Sequence, residues 1–468
     1  MKALKLAVVG GGWAGMAAAV TATQAGHPVT LFEASRSWGG RARALPLALP
    51  GGGQLQLDNG QHILIGAYSE TLALLRTVGV DPERSLLRLP LRLLFPDGTG
   101  LQLPDWPTPL DVLAGIARAR GWSLADKACL LRSTSRWQWS GFQCAAGTSV
   151  TELCQGLSPT VLQTLIEPLC VSALNTPPER ASGQVFLRVL KDALLGGRGS
   201  SNLLLPRTDL SSLFPTAAAA WLGQRGASLR LGCRVQRLEP ASHVQAPGQL
   251  GWNGWLLDGE AFDAVICATA PSAAAQLLGQ RHGAGAAAMD PAPASGMAMA
   301  TTAHTNTLQA WAEQAAGLQH ESIATVYVQA GSTRLPQPLL ALRSGPGCPA
   351  QFVFDRGQLG GPAGLLAFVV SASTEGRAEL QAQVLQQAGS QLATLLQGQP
   401  LMPPQTVVEK RATFACTPGL QRPPQRIAPG LLACGDYVAG PYPATLEGAV
   451  RSGMAAAQAL SQPTAAAP

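Results

Sequence analysis

Blocks of apolar residues at the start of the chain predict a strand, a helix and a second strand. Residues 6–9 (LAVV) are an uninterrupted apolar run, which is typical of a strand buried in a parallel sheet. The Ala-rich residues 16–24 predict a helix that ends at Gly26, and residues 29–32 form the second apolar run. This order predicts an α/β fold with helices packed on a parallel sheet.

The loop between the first strand and the helix has the spacing G-x-G-x-x-G. Gly10 permits a tight turn, Gly12 lets the backbone approach a pyrophosphate, and Gly15 lets the helix pack closely on the strand. Glu33, at the end of the second strand, can accept hydrogen bonds from ribose hydroxyls. Glycine-rich turns are common, so the prediction of a dinucleotide site depends on strand, helix, strand and acid occurring together. The residues that contact the dinucleotide are expected to be Gly10, Gly12, Trp13, Ala14, Gly15 and Glu33.

The next segment, EASRSWGGRARA, contains Gly39, Gly40 and Arg41 and resembles the flavin amine oxidase and carotenoid desaturase superfamily. The resemblance implies that the cofactor is FAD and that Arg41 lies near its pyrophosphate, where a guanidinium suits the charge. A Gly-Gly turn followed by a solvated arginine is the less favoured alternative for the segment taken alone.

The end of the chain carries a second motif of the same superfamily. Residues 431–434 predict a strand that ends in Gly435 and Asp436, and residues 445–460 predict a helix with the pattern E-G-A-x-x-S-G. By resemblance, Asp436 lies beside the ribityl chain, and Thr445 and Leu446 lie at the pyrimidine edge of the flavin. In the family, the residue matching Val235 contacts adenine through its backbone.

These motifs predict a discontinuous Rossmann-type FAD-binding domain with an inserted α+β substrate-binding domain. The FAD-binding parts are expected at residues 1–69, 226–285 and 404–468. The substrate-binding parts are expected at residues 70–225, mostly helical, and 286–403, mostly sheet, where a long isoprenoid would fit. The low-complexity residues 283–300 and the tail after Gln462 are expected to be loose connecting segments.

Other stretches narrow the resemblance to one branch. DNGQHILIG from Asp58, PLCVSALNTPPERAS from Pro168, FVFDRGQ from Phe352 and RATFACTPGLQRPP from Arg411 resemble the hydroxysqualene dehydroxylases of bacterial squalene and hopanoid biosynthesis. The resemblance implies that hydroxysqualene loses its hydroxyl as water and receives hydride from reduced flavin, which gives squalene.

The proton donor for this reaction must be polar and near the flavin. Asp58, His62 and Tyr442 are the candidates, with Glu447 behind them. Each also has a structural interpretation, because Asp58 suits a turn, a single histidine beside an apolar strand is often structural, and Glu447 suits the first turn of a helix.

Charge and composition exclude some partners. The formal charge is +6 and the pI is near 9.0, but no run of basic residues interleaved with aromatic ones indicates nucleic acid. A mildly basic surface also suits anionic lipid. Trp106, Trp122, Trp137 and Trp139, among arginines and lysines, are expected either to contact a membrane or to pack in the core.

The cysteines and the N-terminus indicate a reducing compartment. Nine cysteines without a CxxC pair predict neither a disulfide framework nor a metal site. Three glycines interrupt the first apolar run, so we expect no signal peptide, and no run is long enough to predict a spanning helix. A cytoplasmic protein, peripheral on the inner face of the cell membrane, fits these features.

Two alternatives stay open at this stage. A desaturase or an amine oxidase would take hydride from its substrate, and the FAD motifs do not set the direction. A non-catalytic lipid carrier of the same fold is the other, although the presence of both FAD motifs argues against it.

Overall fold

The computed structural model describes residues 3–48, 54–241, 244–245, 249–250, 254–279 and 295–461. Its largest sheet, here called the cofactor sheet, has six strands, of which the first five are parallel and the last is antiparallel. In spatial order the strands are Ser228–Leu231, Val29–Glu33, Leu6–Val9, Ala264–Cys267, Leu431–Ala433 and Arg426–Ala428. They come from three separate parts of the chain, which confirms the discontinuous Rossmann-type architecture.

Two helices pack against each other on one face of the cofactor sheet, at almost backbone-to-backbone distance. These are Trp13–Gln24 and Leu446–Ser461. A Cβ atom at Gly453 would lie 2.1 Å from the carbonyl oxygen of Ala14, so glycine is required at the crossing. The contact joins the first and the last predicted FAD motifs in one core.

A second sheet, here called the substrate sheet, has five antiparallel strands. In spatial order they are Leu339–Ala341, Phe352–Asp355, Leu365–Ser371, His320–Gln329 and Gln405–Phe414. Alternation places Val353 and Phe368 against the helix Arg377–Gln391, while Phe352 and Phe354 face the opposite side. The strand Gln405–Phe414 pairs with this sheet, although the sequence assigned it to the last FAD-binding part.

A layer of helices shares a core with the face of the substrate sheet that carries Phe352 and Phe354. Its members are Leu110–Arg118, Leu124–Trp139, Val150–Leu153, Pro159–Val161, Glu167–Leu174 and Gly183–Leu195, with a π-helical turn at Leu162–Ile166. Capping boxes begin two of these helices, at Ser123 with Asp126 and at Ser149 with Glu152.

Short strands and helices complete the described chain. The strands are Ala44–Ala48, Gln54–Asp58, Leu64–Ile65, Leu86–Leu89, Arg92–Leu94, Gly100–Gln102, Leu203–Pro206, Leu238–Pro240, Val244–Gln245, Gln249–Leu250, Trp255–Leu257 and Glu260–Phe262. The helices are Ser69–Thr77, Pro82–Ser85, Leu210–Leu213, Pro215–Gly223, Pro271–Leu278, Ser295–Ala316 and Ala393–Leu396, with a 3₁₀ turn at Arg356–Leu359.

The connecting segment predicted at residues 283–300 is partly helical. Residues 283–294 and the tail after Gln462 lie outside the described residues, whereas residues 295–300 begin the helix Ser295–Ala316. That part of the prediction was wrong, because the Ala and Met residues that made it look low in complexity are strong helix formers. Within the described ranges, no helix is long and apolar enough to cross a membrane.

The four tryptophans divide between core and surface. Trp122 and Trp137 are buried, and the Trp122 indole donates a hydrogen bond to Thr164 Oγ1. Trp106 is 44% exposed and Trp139 is 91% exposed. Core packing is therefore confirmed for Trp122 and Trp137, whereas Trp106 and Trp139 lie at the surface.

Candidate active site

A cavity of about 830 Å³ lies between the carboxyl ends of the cofactor strands and the substrate sheet. Such crevices are where ligands bind in open parallel sheets. Most of the predicted cofactor residues line it, namely Gly10, Gly12, Trp13, Ala14, Glu33, Gly39, Gly40, Arg41, Val235, Gly435, Asp436, Thr445 and Leu446. Gly15 is buried behind them and does not line the cavity.

The glycines of the first loop differ in what surrounds them. Gly10 has φ +116°, and a Cβ atom there would lie 2.6 Å from the Ala268 carbonyl oxygen. A Cβ atom at Gly15 would lie 1.8 Å from the Gly10 carbonyl oxygen. At Gly12 the nearest atom would be 3.8 Å away, so this glycine leaves open space in front of the helix Trp13–Gln24. The loop thus forms a cradle at a helix N-terminus, which suits a phosphate group.

Glu33 fixes the same loop. Its Oε2 atom accepts a hydrogen bond from the Gly11 amide at 2.7 Å, and Oε1 accepts one from the Ser35 amide at 2.7 Å. A carboxylate has further lone pairs, so Glu33 can hold the loop and still accept from hydroxyl groups in the cavity.

Two motifs that are distant in sequence meet at Arg41. Its guanidinium forms an ion pair with Asp436 and donates to the Ala412 carbonyl oxygen at 3.0 Å. Burial opposes the charge on Arg41, but Asp436, Glu409 and Tyr437 together outweigh it and raise the pKa of the guanidinium. Gly39 donates its amide to the Gly11 carbonyl at 2.9 Å, so the glycine doublet packs on the first loop. Arg41 is therefore part of a built site rather than a solvated side chain.

The C-terminal helix begins with a cap. The structure has it at Leu446–Ser461, one residue later than predicted, because Thr445 Oγ1 accepts a hydrogen bond from the Gly448 amide at 2.9 Å. Gly435 donates its amide to Ser452 Oγ at 3.1 Å, which ties the strand end to the same helix.

Asp58 does not line the cavity. It is 3% exposed, and its Oδ1 atom accepts a hydrogen bond from the Leu210 amide at 2.8 Å. Burial raises its pKa to about 6, although the Leu210 hydrogen bond acts in the opposite direction. Its neighbour Asn59 lines the cavity instead and donates to the Arg41 carbonyl oxygen at 2.6 Å.

His62 and Tyr442 both line the cavity. His62 Nδ1 lies 3.0 Å from the Gly60 carbonyl oxygen, so it donates a proton there and Nε2 is left as an acceptor. Burial lowers the pKa of His62 and keeps it neutral, whereas burial raises the pKa of Tyr442. The guanidinium groups of Arg188 and Arg451 lie 5.5 Å and 4.9 Å from the Tyr442 ring centre.

Glu447 is fully buried away from the cavity. It accepts hydrogen bonds from the amides of Glu70 and Thr71 at 3.1 Å and 2.9 Å, and Arg451 Nε donates to it at 2.7 Å. Glu447 therefore holds two helices together by hydrogen bonds.

Several polar residues on the cavity wall were not predicted from the sequence, among them Arg188, Asp192 and Tyr437. Arg188 and Asp192 form an ion pair of 2.6 Å on the helix Gly183–Leu195, whose apolar residues also line the cavity. Their spacing of one helical turn indicates that the two side chains can pair, but it does not show that the pair faces the cavity. Tyr437 directly follows the Gly-Asp motif and also lines the cavity.

Comparisons with known proteins agree with this geometry. The family model described as flavin containing amine oxidoreductase matches residues 13–461. A hydroxysqualene dehydroxylase from Rhodopseudomonas palustris is 28% identical over 476 residues, which cover 96% of each chain. Another from Sinorhizobium fredii is 28% identical over 279 residues, and the alignment spans 58% of this chain and 63% of that relative.

Solved structures share the fold at low identity. Cyclohexylamine oxidase from Brevibacterium oxydans is 16% identical, with a TM-score of 0.60 over 98% of this chain and 100% of that one. This likeness confirms the predicted fold class, and the sequence relatives confirm the resemblance to the dehydroxylase branch.

Proposed function

The chain belongs to the flavin containing amine oxidoreductase family, and we propose that it is a hydroxysqualene dehydroxylase, which reduces hydroxysqualene to squalene with loss of water. It is an FAD-dependent oxidoreductase. The observation that carries the proposal is the similarity over 96% of the chain to a relative of that name. The cavity supports it, because one continuous space joins the cofactor cradle to apolar walls.

The residues of the cradle fit FAD. Gly12 leaves space beside free helix amides, Glu33 offers carboxylate oxygens for ribose hydroxyls, and Arg41 offers positive charge for a pyrophosphate. When bound and reduced, FAD supplies the hydride for the reaction. We assign the whole predicted set of cofactor residues to this role, with Gly15 acting through helix packing.

The apolar part of the cavity suits an isoprenoid chain. Val185, Phe186, Val189 and Leu190 from one helix face Phe352, Phe354 and Val369 from the substrate sheet. Loss of the hydroxyl leaves positive charge on an allylic system, and these side chains carry no lone pair that would capture it. They also exclude water, which would otherwise reverse the loss of the hydroxyl.

We assign the proton transfer to Tyr442 and the orientation of the hydroxyl to His62. Tyr442 lines the cavity, and its hydroxyl is protonated at neutral pH and can donate to the leaving hydroxyl. His62 presents a neutral Nε2 acceptor to the cavity and is suited to hold the substrate hydroxyl. The Asp58 side chain does not line the cavity, but the neighbouring Asn59 does. We therefore assign Asp58 to positioning the loop that carries Asn59.

An anaerobic experiment tests both the reaction and its direction. The purified protein is reduced with dithionite, hydroxysqualene is added, and the visible absorbance of oxidised flavin is followed. Return of that absorbance with formation of squalene supports the proposal. If the flavin stays reduced with hydroxysqualene but the oxidised protein is bleached by an isoprenoid or an amine, the chain is a desaturase or an oxidase.

We further propose that the protein rests on the inner face of the cell membrane through one face of the helix Leu124–Trp139. This apolar-basic face consists of Leu124, Leu131, Trp139, Arg132 and Arg136. The opposite side of the helix is buried through Leu130, Ser133 and Trp137. A helix with one face in the core and a second apolar stripe beside arginines is suited to an anionic bilayer surface.

The position of the cavity supports the same orientation. The last turn of the helix Gly183–Leu195 lines the cavity, and Leu195 itself is 42% exposed. Thr108 donates to the Gly197 carbonyl oxygen at 3.3 Å, which joins this end of the cavity to the exposed residues Leu110 and Leu113. Sedimentation of the protein with vesicles of anionic lipid tests the proposal. If the protein does not bind the vesicles at any salt concentration, the proposal is wrong.

A further inference from the structure

Arg43 brings a second guanidinium to the cavity, two residues after Arg41. Its Nη1 atom donates to the Gly40 carbonyl oxygen, and in the part of the chain that the structure describes no carboxylate pairs with it. Most of its N–H groups are therefore left for other acceptors. Because the side chain is half-buried, an anion bound in the cavity would offset the cost of removing its charge from water.

Arg41 differs from Arg43 in its partners, although it belongs to the recognised motif. Its guanidinium pairs with Asp436 and donates to the Ala412 carbonyl oxygen at 3.0 Å. These contacts connect the first FAD motif to the last one and to a strand of the substrate sheet. The charge of Arg41 is thus balanced within the protein, whereas that of Arg43 is not.

The hydrogen bond to Gly40 places the Arg43 guanidinium beside the cradle. A Cβ atom at Gly40 would lie 3.2 Å from Gly12 Cα, so the two glycines are in close contact. Gly12 is the N-cap of the helix Trp13–Gln24 and leaves open space in front of the free helix amides. Asn59 fixes the backbone of Arg43, because its amide donates to the Arg43 carbonyl at 3.0 Å and its Oδ1 atom accepts from the Arg43 amide at 3.1 Å. All four residues line the cavity.

The pyrophosphate is the anionic part of FAD, and the planar guanidinium can donate two parallel hydrogen bonds to the oxygens of a phosphate. We propose that Arg43 is a cofactor-binding residue whose guanidinium donates to the pyrophosphate of bound FAD, while Arg41 holds the two FAD motifs together. The proposal rests on FAD binding alone and is independent of the substrate and of the direction of hydride transfer.

The substitution Arg43→Met tests this, with Arg36→Met as the matched control. Arg36 lies on the same segment and is exposed, but it does not line the cavity, so its replacement removes the same charge from outside the site. The Kd is measured on the deflavinated protein for FAD and for ADP, which carries a pyrophosphate without the flavin. We expect Arg43→Met to raise both Kd values about 30-fold, as the loss of a hydrogen bond between charged groups does. Arg36→Met should change neither by more than about two-fold, because solvent and salt screen an exposed charge.

The conservative variant and the apoprotein separate binding from a structural role. Arg43→Lys keeps the charge but not the planar fork and should recover part of the affinity. Arg41→Met leaves the Asp436 carboxylate without its partner and should lower the unfolding temperature of the deflavinated protein, whereas Arg43→Met should leave that temperature near the wild-type value. If the deflavinated proteins do not stay folded, the temperature at which the holoprotein releases flavin replaces the Kd, and Arg43→Met should lower it while Arg36→Met does not.

Two results would overturn the proposal. One is an affinity for FAD and ADP that Arg43→Met leaves unchanged, and the other is a loss of apoprotein stability in Arg43→Met as large as that in Arg41→Met. If the wild type itself binds neither FAD nor ADP, the assignment of the cofactor is wrong and the proposal fails with it.

Discussion

Asp58 and Asn59 show what a motif can reveal about single residues. The DNGQH stretch predicted polar groups near the flavin, but it did not show which of them faces the cavity. Successive side chains of a strand point to opposite sides, and the strand Gln54–Asp58 ends between the two residues. Which side is the cavity depends on the substrate sheet, whose pairing is not encoded locally. Asp58 is therefore buried against Leu210, and Asn59 lines the site.

The free energy of unfolding of Asp58→Asn, relative to that of the wild type, should be more favourable at high pH than at low pH. The pKa of Asp58 is about 6 in the fold against 3.8 for an unperturbed aspartate, so wild-type stability falls as pH rises through that window. The asparagine has no charge to bury and still accepts from the Leu210 amide. The relative gain should reach about 2 kcal/mol between pH values about two units below and about two units above the pKa. Urea unfolding at both pH values measures it.

Turnover of the same variant separates positioning from catalysis. If Asp58 only positions the loop, turnover of Asp58→Asn should stay within about three-fold of the wild type, since a residue in general acid catalysis contributes far more. A stability difference that does not vary with pH would contradict the buried charge, and a near-complete loss of turnover would return Asp58 to the mechanism.

Replacing His62 should affect turnover and not the cofactor. His62→Ala removes the Nε2 acceptor, and we expect kcat to fall by about 100-fold, the order of loss that misplacement of a reacting group causes. His62→Gln keeps an acceptor and should recover part of the loss. Flavin content should remain that of the wild type. Because burial lowers the pKa of His62, wild-type turnover should persist to a lower pH than a solvent-exposed histidine would allow. Steady-state kinetics across pH measure these effects. An unchanged kcat for His62→Ala would show that His62 has no role in the mechanism.

At the scale of elements, Glu447 joins two helices. It begins the helix Leu446–Ser461, yet its carboxylate caps the N-terminus of the helix Ser69–Thr77 through the amides of Glu70 and Thr71. The sequence showed an acid in a first turn and correctly favoured a helix-terminal role. It could not show that the capped helix is a different one, since that contact spans most of the chain.

Truncating this side chain should therefore cost stability. Glu447→Ala leaves buried amides and Arg451 without their shared acceptor, and we expect the free energy of unfolding to fall by about 3 kcal/mol. Glu70→Ala is the control, because that carboxylate lies 3.8 Å from Arg451 at the surface and should matter by less than about 1 kcal/mol. Urea unfolding compares the two. Equal stability with lost turnover in Glu447→Ala would indicate catalysis instead.

At the scale of the molecule, the motifs predicted the cofactor domain well because each marks a strand end at the same edge of one sheet. Gly10, Glu33 and Asp436 all follow parallel strands, and parallel strands bring their carboxyl ends together. The substrate domain has no such markers. The strand Gln405–Phe414 lies next to an FAD motif in sequence but pairs with His320–Gln329, a pairing set by packing across the domain.

The proposed orientation on a membrane involves the surface of the whole molecule rather than any one element. Charge reversal at Arg132 and Arg136 should remove binding to anionic vesicles, since each basic residue near such a surface contributes about 1 kcal/mol. Leu124→Ser with Trp139→Ser should weaken binding at every salt concentration, because the apolar contribution is not screened.

Arg225→Glu is the control. This arginine stacks on Trp221 at 3.8 Å but lies on the cofactor domain, so binding should not change. Turnover of detergent-dispersed substrate should be unaffected in all three. If Arg225→Glu weakened binding as much as the reversal at Arg132 and Arg136, net charge alone would explain the attraction and the apolar-basic face would have no special role.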